Sequence, residues 1–402
     1  MTPAERRSSG SLACVFAARM LGLFLVLPVF ALEAARYPGG NDPALVGLAM
    51  GIYGLTQGLL QIPFGMASDR LGRKRVIMVG LVIFAGGSFV AAAADSLTWL
   101  IIGRSLQGAG AVSAAVTALL ADQTRDQVRT KAMAMVGASI GLTFALSLVA
   151  APLLAAQIGL SGLFVLTGIL ALVCIGVIAW WTPPAPAQQK NTPRGKLSEV
   201  LSNPALLRLD VGVFVLHAVQ LAMWVAIPGM LVEAGLAKES HWAIYLPAVL
   251  ASFGVMAFTL FPLERRGYLR ALFLASVGLV GLVQLGMLLL VPQPGVLGLA
   301  ALLFVFFCGF NVLEATQPSM ASRVAPTHAR GAALGVYNSL QSLGFFVGGA
   351  VGGWLAKNVG LQGLFAACAG LMFLWLVVAW PMRAPARSKA AEEVLANEAQ
   401  TT

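Results

Sequence analysis

Stretches of apolar residues about as long as a bilayer is thick recur along this 402-residue chain, and nothing else in it constrains the fold so tightly. A hydrocarbon core of about 30 Å is crossed by roughly 20 helical residues. Twelve such stretches can be marked, at 11–34, 44–66, 76–94, 97–120, 131–157, 162–181, 206–232, 241–262, 270–291, 295–316, 331–354 and 362–381. Lipid offers the backbone no hydrogen-bond partner, so each stretch is expected to be a helix that satisfies its own amides. With 58% of residues hydrophobic and 10% charged, a soluble domain of this length could not cover its apolar surface.

The charges are few enough to be placed one by one. With the N-terminus inside and twelve crossings, only Arg36, Lys238 and Lys357 fall on the outer side. Arg19 and Arg104 lie within spans, and every other Lys and Arg falls on the inner side. This is the positive-inside pattern of a multi-pass membrane protein with both termini in the cytoplasm. The net charge of +10 is therefore a topology signal, and no nucleic-acid partner is expected. Arg6 and Arg7 precede the first stretch without a small-residue cleavage site, so it reads as a retained span. Cys14, Cys174, Cys308 and Cys368 sit inside spans without metal-ligand spacing and read as packing residues. No metal or cofactor is expected. Paired catalytic acids, a nucleophile motif and a phosphate loop are all missing, which argues against an enzyme.

Internal repetition turns the list of helices into an architecture. Leu21-Gly-Leu-Phe-Leu-Val-Leu-Pro28, followed by Glu33-Ala34, returns as Leu221-Ala-Met-Trp-Val-Ala-Ile-Pro228, followed by Glu233-Ala234. Asp69-Arg70-Leu71-Gly72 has a weaker echo in Glu264-Arg265-Arg266-Gly267, and Arg129 before the fifth span matches Arg330 before the eleventh. The expectation is an all-α membrane protein of twelve transmembrane helices in two pseudo-symmetric six-helix bundles, residues 1–181 and 206–382. A cytoplasmic linker, 182–205, joins them, and a disordered tail, 383–402, follows. Parallel repeats of this kind place a substrate site between the bundles near the midplane.

The most polar run, Gly65 to Arg75, packs Asp69, Arg70, Arg73, Lys74 and Arg75 into one short turn between apolar segments. Gly65 and Gly72 read as places where helix ends approach other backbone. In the fourth span stands Arg104-Ser-Leu-Gln107-Gly108-Ala-Gly110-Ala111. Gly65-x-x-x-Asp69-Arg70-x-Gly72-Arg73-Lys74 resembles the signature between the second and third helices of the major facilitator superfamily. The Arg104 run resembles the Arg-x-x-Gln-Gly-x-Gly signature of that family's drug/proton antiporters. Phe310-Asn311-Val-Leu-Glu314-Ala, Ser322-Arg323-Val-Ala-Pro326 and Gly335-Val-Tyr337 resemble inner-membrane members that carry an extra soluble C-terminal domain, whereas this chain ends soon after its twelfth span.

The resemblance, which covers essentially the full length, implies a monomeric carrier of small molecules in a bacterial inner membrane. It would sit among membrane lipids, work by alternating access and draw on the proton gradient. It also implies a latch in which Arg73 joins Asp69 to Asp122, set against the plainer reading of a solvated, topology-fixing turn. One departure stands out: the Gly-x-x-x-Gly-Pro signature of the fifth helix reads here Ser147-Leu-Val-Ala-Ala151-Pro152. Close packing through Ser147 and Ala151 and a kink at Pro152 remain open to it.

Spacing and burial cost add further candidates. Arg104 and Asp122 are 18 residues apart, which puts them on one face of a continuous helix, about 27 Å apart, with Gln107 and Gly108 on the same stripe. A charge within a span faces protein or water, so Arg104 is either an electrostatic tuner of a nearby acid or a structural donor. Glu314 is the candidate proton carrier, with Asn311 and Pro318 on its face of the tenth span. Its alternative is a structural acid paired with a base such as Arg19. Glu33, Glu233, Asp210 and His217 lie nearer span ends and read as solvated. Gly331, Gly335, Gly344, Gly348, Gly349, Gly352 and Gly353 in the eleventh span read as packing, and Trp99, Trp180, Trp181, Trp242, Trp354 and Trp380 as interfacial anchors. With no acid at the centre of the first helix, the cargo stays open: hydrophobic compounds exported, or a metabolite or lipid-like anion carried either way. A channel or sensor without coupled transport is the alternative of another class.

Overall fold

Proline and glycine punctuate almost every helix. The computed structural model describes residues 1–110, 112–184 and 197–382. Ala111, most of the expected linker (185–196), the tail 383–402 and the side chains of Arg129 and Lys131 lie outside the described residues. The first span is two helices, α1 (Pro3–Phe24) and α2 (Leu27–Ala34). Thr2 and Glu5 close a capping box at its start, and Pro28, which has no N–H and crowds the carbonyl of Phe24, accompanies the break. Asp42 caps α3 (Pro43–Leu71), and Gly72, at φ +97°, ends it and starts α4 (Arg73–Ala92).

The fourth span is not continuous. It divides into α5 (Leu97–Ala109) and α6 (Ser113–Asp122), with Gly110 at φ −72°, ψ +45° between them. The single-helix phase that placed Arg104 and Asp122 on one face therefore does not hold across the break. The fifth and sixth spans form one run, α7 (Asp126–Gly176), which leaves helical φ/ψ only at Gly159 (φ +66°, ψ −176°), a conformation open chiefly to glycine. A π-turn at Val177–Trp181 ends it. The short α8 (Leu197–Leu201) leads into α9 (Pro204–Glu233), capped by Asn203. Then come α10 (Trp242–Arg265), α11 (Leu269–Leu290), α12 (Val296–Val324), α13 (Arg330–Asn358) and α14 (Gly360–Ala379).

Among the described residues, nine helical stretches are long and apolar enough to cross a membrane alone. α5 and α6 are each too short for that, glycines and polar residues dilute α13, and α7 carries two of the expected passes. The architecture is an all-α membrane fold of two bundles, α1–α7 and α9–α14.

The bundles meet along a glycine seam between antiparallel α3 and α13. A β-carbon at Gly47 would fall 2.1 Å from the Gly349 carbonyl oxygen, one at Gly353 2.3 Å from that of Pro43, and one at Gly54 2.3 Å from that of Ser342. Gly58 still touches Ser339, but Gly331 and Gly335 on α13 have nothing within 4 Å. The helices thus touch at the end remote from the 65–75 turn and part toward the turn end. Two ion pairs join the bundles at the remote end: Lys238 Nζ to Glu33 Oε1 and Lys357 Nζ to Asp42 Oδ2, each 2.7 Å. Below them, Phe144 of α7 packs its ring 6.0 Å from Phe307 and 6.4 Å from Phe310 of α12.

Candidate functional site

At the turn end, Arg73 opens α4 directly after the tight turn that Gly72 permits, so its side chain reaches back over α3 and across to α6. Its guanidinium lies 2.5 Å from Asp69 Oδ1 and 3.0 Å from Asp122 Oδ2, and it donates to Ser68 Oγ at 2.7 Å. The structure therefore brings Asp69, Arg73 and Asp122 together. The glycines serve differently from expectation. Gly72 has no atom within 4 Å of a would-be β-carbon and is needed for its positive φ, while Gly65 meets only Ala114 at an ordinary 3.5 Å and offers its carbonyl to Ser68. Arg70 is exposed. In the second bundle Gly267 repeats the positive φ at +86°, and Arg323 of α12 pairs with Glu264 of α10 at 2.8 Å. There the acid ends the even-numbered span before the turn and the base ends α12, the reverse of Asp122 on α6.

In the first bundle two arginines are buried with neutral partners. Arg104, fully buried, donates to Gln107 Oε1 at 2.9 Å and to the Met50 carbonyl at 3.4 Å, and lies over the Tyr53 ring at 4.9 Å. Gln107 in turn donates to Ser88 Oγ at 2.8 Å. Arg19, 3% exposed, donates to Tyr53 Oη at 3.0 Å and to Ser113 Oγ. The glycines beside them let α5 press on its neighbours: a β-carbon at Gly108 would meet the Tyr53 carbonyl at 2.2 Å, and one at Gly110 that of Gly80 at 2.5 Å. Arg104 is thus not placed against Glu314, and Arg19 is not its partner.

Glu314 sits instead among three helices of the second bundle. Its Oε2 lies 3.3 Å from His217 Nε2 of α9, and Gln341 Nε2 of α13 donates to its Oε1 at 3.3 Å while touching His217 Nε2 at 2.8 Å. His217 Nδ1 faces the Val213 carbonyl at 2.8 Å, and Phe345 and Phe310 wall the imidazole at 4.8 and 6.0 Å. The glutamate side chain is 38% exposed although His217 is 2% exposed, so the carboxyl has one oxygen buried beside the imidazole while the rest of its side chain stays accessible. Asn311 belongs to another contact: it donates to Ser252 Oγ of α10 at 2.8 Å.

Residues expected to be solvated are buried. Asp210 is 3% exposed, and Glu33, 2% exposed, lies between Lys238 and Arg36; only Glu233 is exposed as expected. Sequence position near a span end misled here because the partners come from distant elements. Outside the membrane, the Lys357 ammonium beside Asp42 holds that carboxyl below the usual carboxylate range. In α7, Ser147 donates to the Thr143 carbonyl at 2.7 Å, Ala151 is buried against α1–α2, and the backbone stays helical through Pro152. Cys174 and Cys368 are buried, Cys308 half-buried, and Cys14 exposed rather than packed. The six candidate anchor tryptophans are exposed.

The profile described as Major Facilitator Superfamily matches residues 12–349 and again 319–400. The chain is 41% identical over 389 residues to the inner membrane transport protein YajR of Escherichia coli (strain K12), covering 96% of this chain and 85% of that protein. It is 26% identical over 368 residues to the multidrug resistance protein MdtH of Aeromonas salmonicida (strain A449), covering 86% of each. In shape it is similar to the crystal structure of the human organic anion transporter MFSD10, with TM-score 0.69 and 17% identity over 94% of this chain and all of that one.

Proposed function

Because this chain belongs to the major facilitator superfamily, and is a transporter rather than an enzyme, we propose that it exports small hydrophobic compounds across a bacterial inner membrane, driven by protons. Both termini would face the cytoplasm, and a monomer among lipids would suffice. One observation carries the coupling: the carboxyl of Glu314, within a span, meets His217 and Gln341 while its side chain stays 38% exposed, in a protein whose bundles are closed against each other at the remote end. Protonation there removes a costly intramembrane charge and alters its hold on α9 and α13, so it biases one conformer. By the charge pattern the seam and its two ion pairs lie on the outer side, which makes this an inward-facing state. Arg73, Asp69 and Asp122 act as a latch that ties α3, α4 and α6 together in one conformer and loosens in the other. Multidrug resistance in the name of one relative supports the cargo class.

A second reading, carriage of an anionic metabolite, is favoured by Arg19 and Arg104, whose described hydrogen-bond partners are all neutral. Transport by sealed vesicles under an imposed pH gradient, screened across neutral, cationic and anionic compounds, tests both. Accumulation indifferent to pH gradient and membrane potential would exclude proton drive; accumulation of organic anions alone would replace the hydrophobic cargo with the second reading.

A further inference from the structure

Of the buried side-chain oxygens in the second bundle that make no hydrogen bond among the described residues, three belong to titratable groups: Tyr337 Oη, Asp210 Oδ2 and Glu314 Oε2, the last with His217 Nε2 at 3.3 Å beside it. Tyr337 and Asp210 are each 3% exposed. Leaving such a group unpaired is costly, and ordered water is the usual remedy.

Asp210 and Tyr337 lie on two packed helices, on the turn-end side of the Glu314–His217 contact. α9 and α13 run parallel in close contact, with Gly344 against Phe214, Gly348 against Ala218 and Gly352 against Ala222. Gln341 marks the level of Glu314 and His217. One turn back along α13 comes Tyr337, and two turns back from His217 along α9 comes Asp210, so both step from Glu314 toward the turn end. Within the next turn of α9, Ala205, Arg208 and Leu209 join Met320 and Val324 in walling a cavity of about 190 Å³. The titratable groups here are His217 and Asp210 from α9, Glu314 from α12 and Tyr337 from α13, with Arg208 at the cavity; α14 brings Trp375 against Gly212. Ser339 Oγ and the Gln317 amide, also buried and unpartnered, add neutral polar atoms on α13 and α12.

We propose that Glu314, Tyr337 and Asp210 line a thread of ordered water that joins the Glu314 carboxyl to the cavity beside Arg208 and passes protons between them. Each transfer moves one proton between neighbouring oxygens, Tyr337 accepting one as it gives one up, so only O–H bonds form and break. The proton traffic rests on the proton-driven reading above; the water does not.

Pulsed hydroxyl-radical footprinting of the full chain in lipid nanodiscs tests it, because radicals born from ordered water mark the side chain beside it. Tyr245 is fully buried, and the Tyr53 hydroxyl is taken by Arg19, so both serve as dry references. Tyr337 should be oxidised at least about tenfold faster than either. Equal rates would overturn the thread. Asp210→Leu, apolar and similar in size, should slow Tyr337 oxidation; unchanged oxidation in a folded variant would also overturn it, and if the variant does not fold the wild-type ratio decides. Fast Tyr337 labelling with gradient-indifferent transport would remove the proton traffic and keep the water. Slow labelling with gradient-driven transport would overturn the thread and leave the proton-driven reading standing.

Discussion

Gly349→Ala should shift the protein away from the conformer closed at its remote end. The added β-carbon would lie 2.4 Å from the Gly47 carbonyl oxygen, 2.8 Å from Gly51 N and 2.9 Å from Gly51 Cα. All three are backbone atoms of α3, so no side chain can swing aside; the helices must separate. Overpacking of this kind costs about 1–3 kcal/mol. At about 1.4 kcal/mol per factor of ten, the closed state loses roughly 5- to 150-fold in population relative to any state in which the seam is open. The gain in helix propensity from Gly to Ala is the same in both conformers and cancels. Gly335→Ala on the same helix is the comparison, since its β-carbon meets nothing within 4 Å in the closed conformer and so does not disfavour it. Spin labels at Leu45→Cys and Val351→Cys, exposed positions at the remote ends of α3 and α13, report the separation by pulsed electron resonance. A longer distance population in Gly349→Ala and not in Gly335→Ala is expected. Identical distance distributions in the two would show that the seam does not govern the equilibrium.

Gly72→Ala should lower thermal stability by about 1–3 kcal/mol, because φ +97°, ψ +135° is closed to a side chain in free space or not; a melting curve equal to wild type would refute this. The Asp42–Lys357 link should withstand physiological pH. Lys357 depresses the carboxyl, so the link is fully present above the ordinary aspartate value of about 3.9 and is lost only as pH falls through the lowered one. Remote-end label distances that change between neutral pH and pH of about 5 would contradict that assignment. Asp69→Asn should leave membrane insertion intact and slow transport, and unaltered transport would return the turn to a topological role. Glu314→Gln should abolish accumulation driven by a pH gradient while leaving exchange of cargo down its own gradient; retained coupling would move the proton to another acid.

Features set by neighbours in sequence were legible. The turn between α3 and α4 and the reach of Arg73 to Asp69 follow from residues a few positions apart, and the family resemblance supplied Asp122. Hydropathy located the long apolar helices but not their interruptions, because Gly110 and Gly159 look alike in sequence to glycines that merely pack. The partner of Glu314 was hidden for another reason. His217 and Gln341 reach it from two other helices, and the offset between packed helices is not written in either one's periodicity. The same holds for Glu33, whose partner Lys238 lies in the opposite bundle. A signal did exist: His217 falls two turns from Asp210 on a helix otherwise nearly all apolar, a spacing that marks one polar stripe.

The antiparallel register of the seam runs on past its last contact. Gly47 meets Gly349 and Gly54 meets Ser342; carried two and three turns further, the same register sets Gln61 opposite Gly335 and Gly65 opposite Gly331. Those bare positions are spare teeth of a zip. If α3 and α13 roll on one another, the teeth nearest the turn can mesh as those at the remote end part, so the total area of backbone contact changes little as the protein rocks. A carrier built this way need not climb out of one deep packing minimum to reach the other. The modest free energy of a single proton or cargo molecule would then be enough to choose between them.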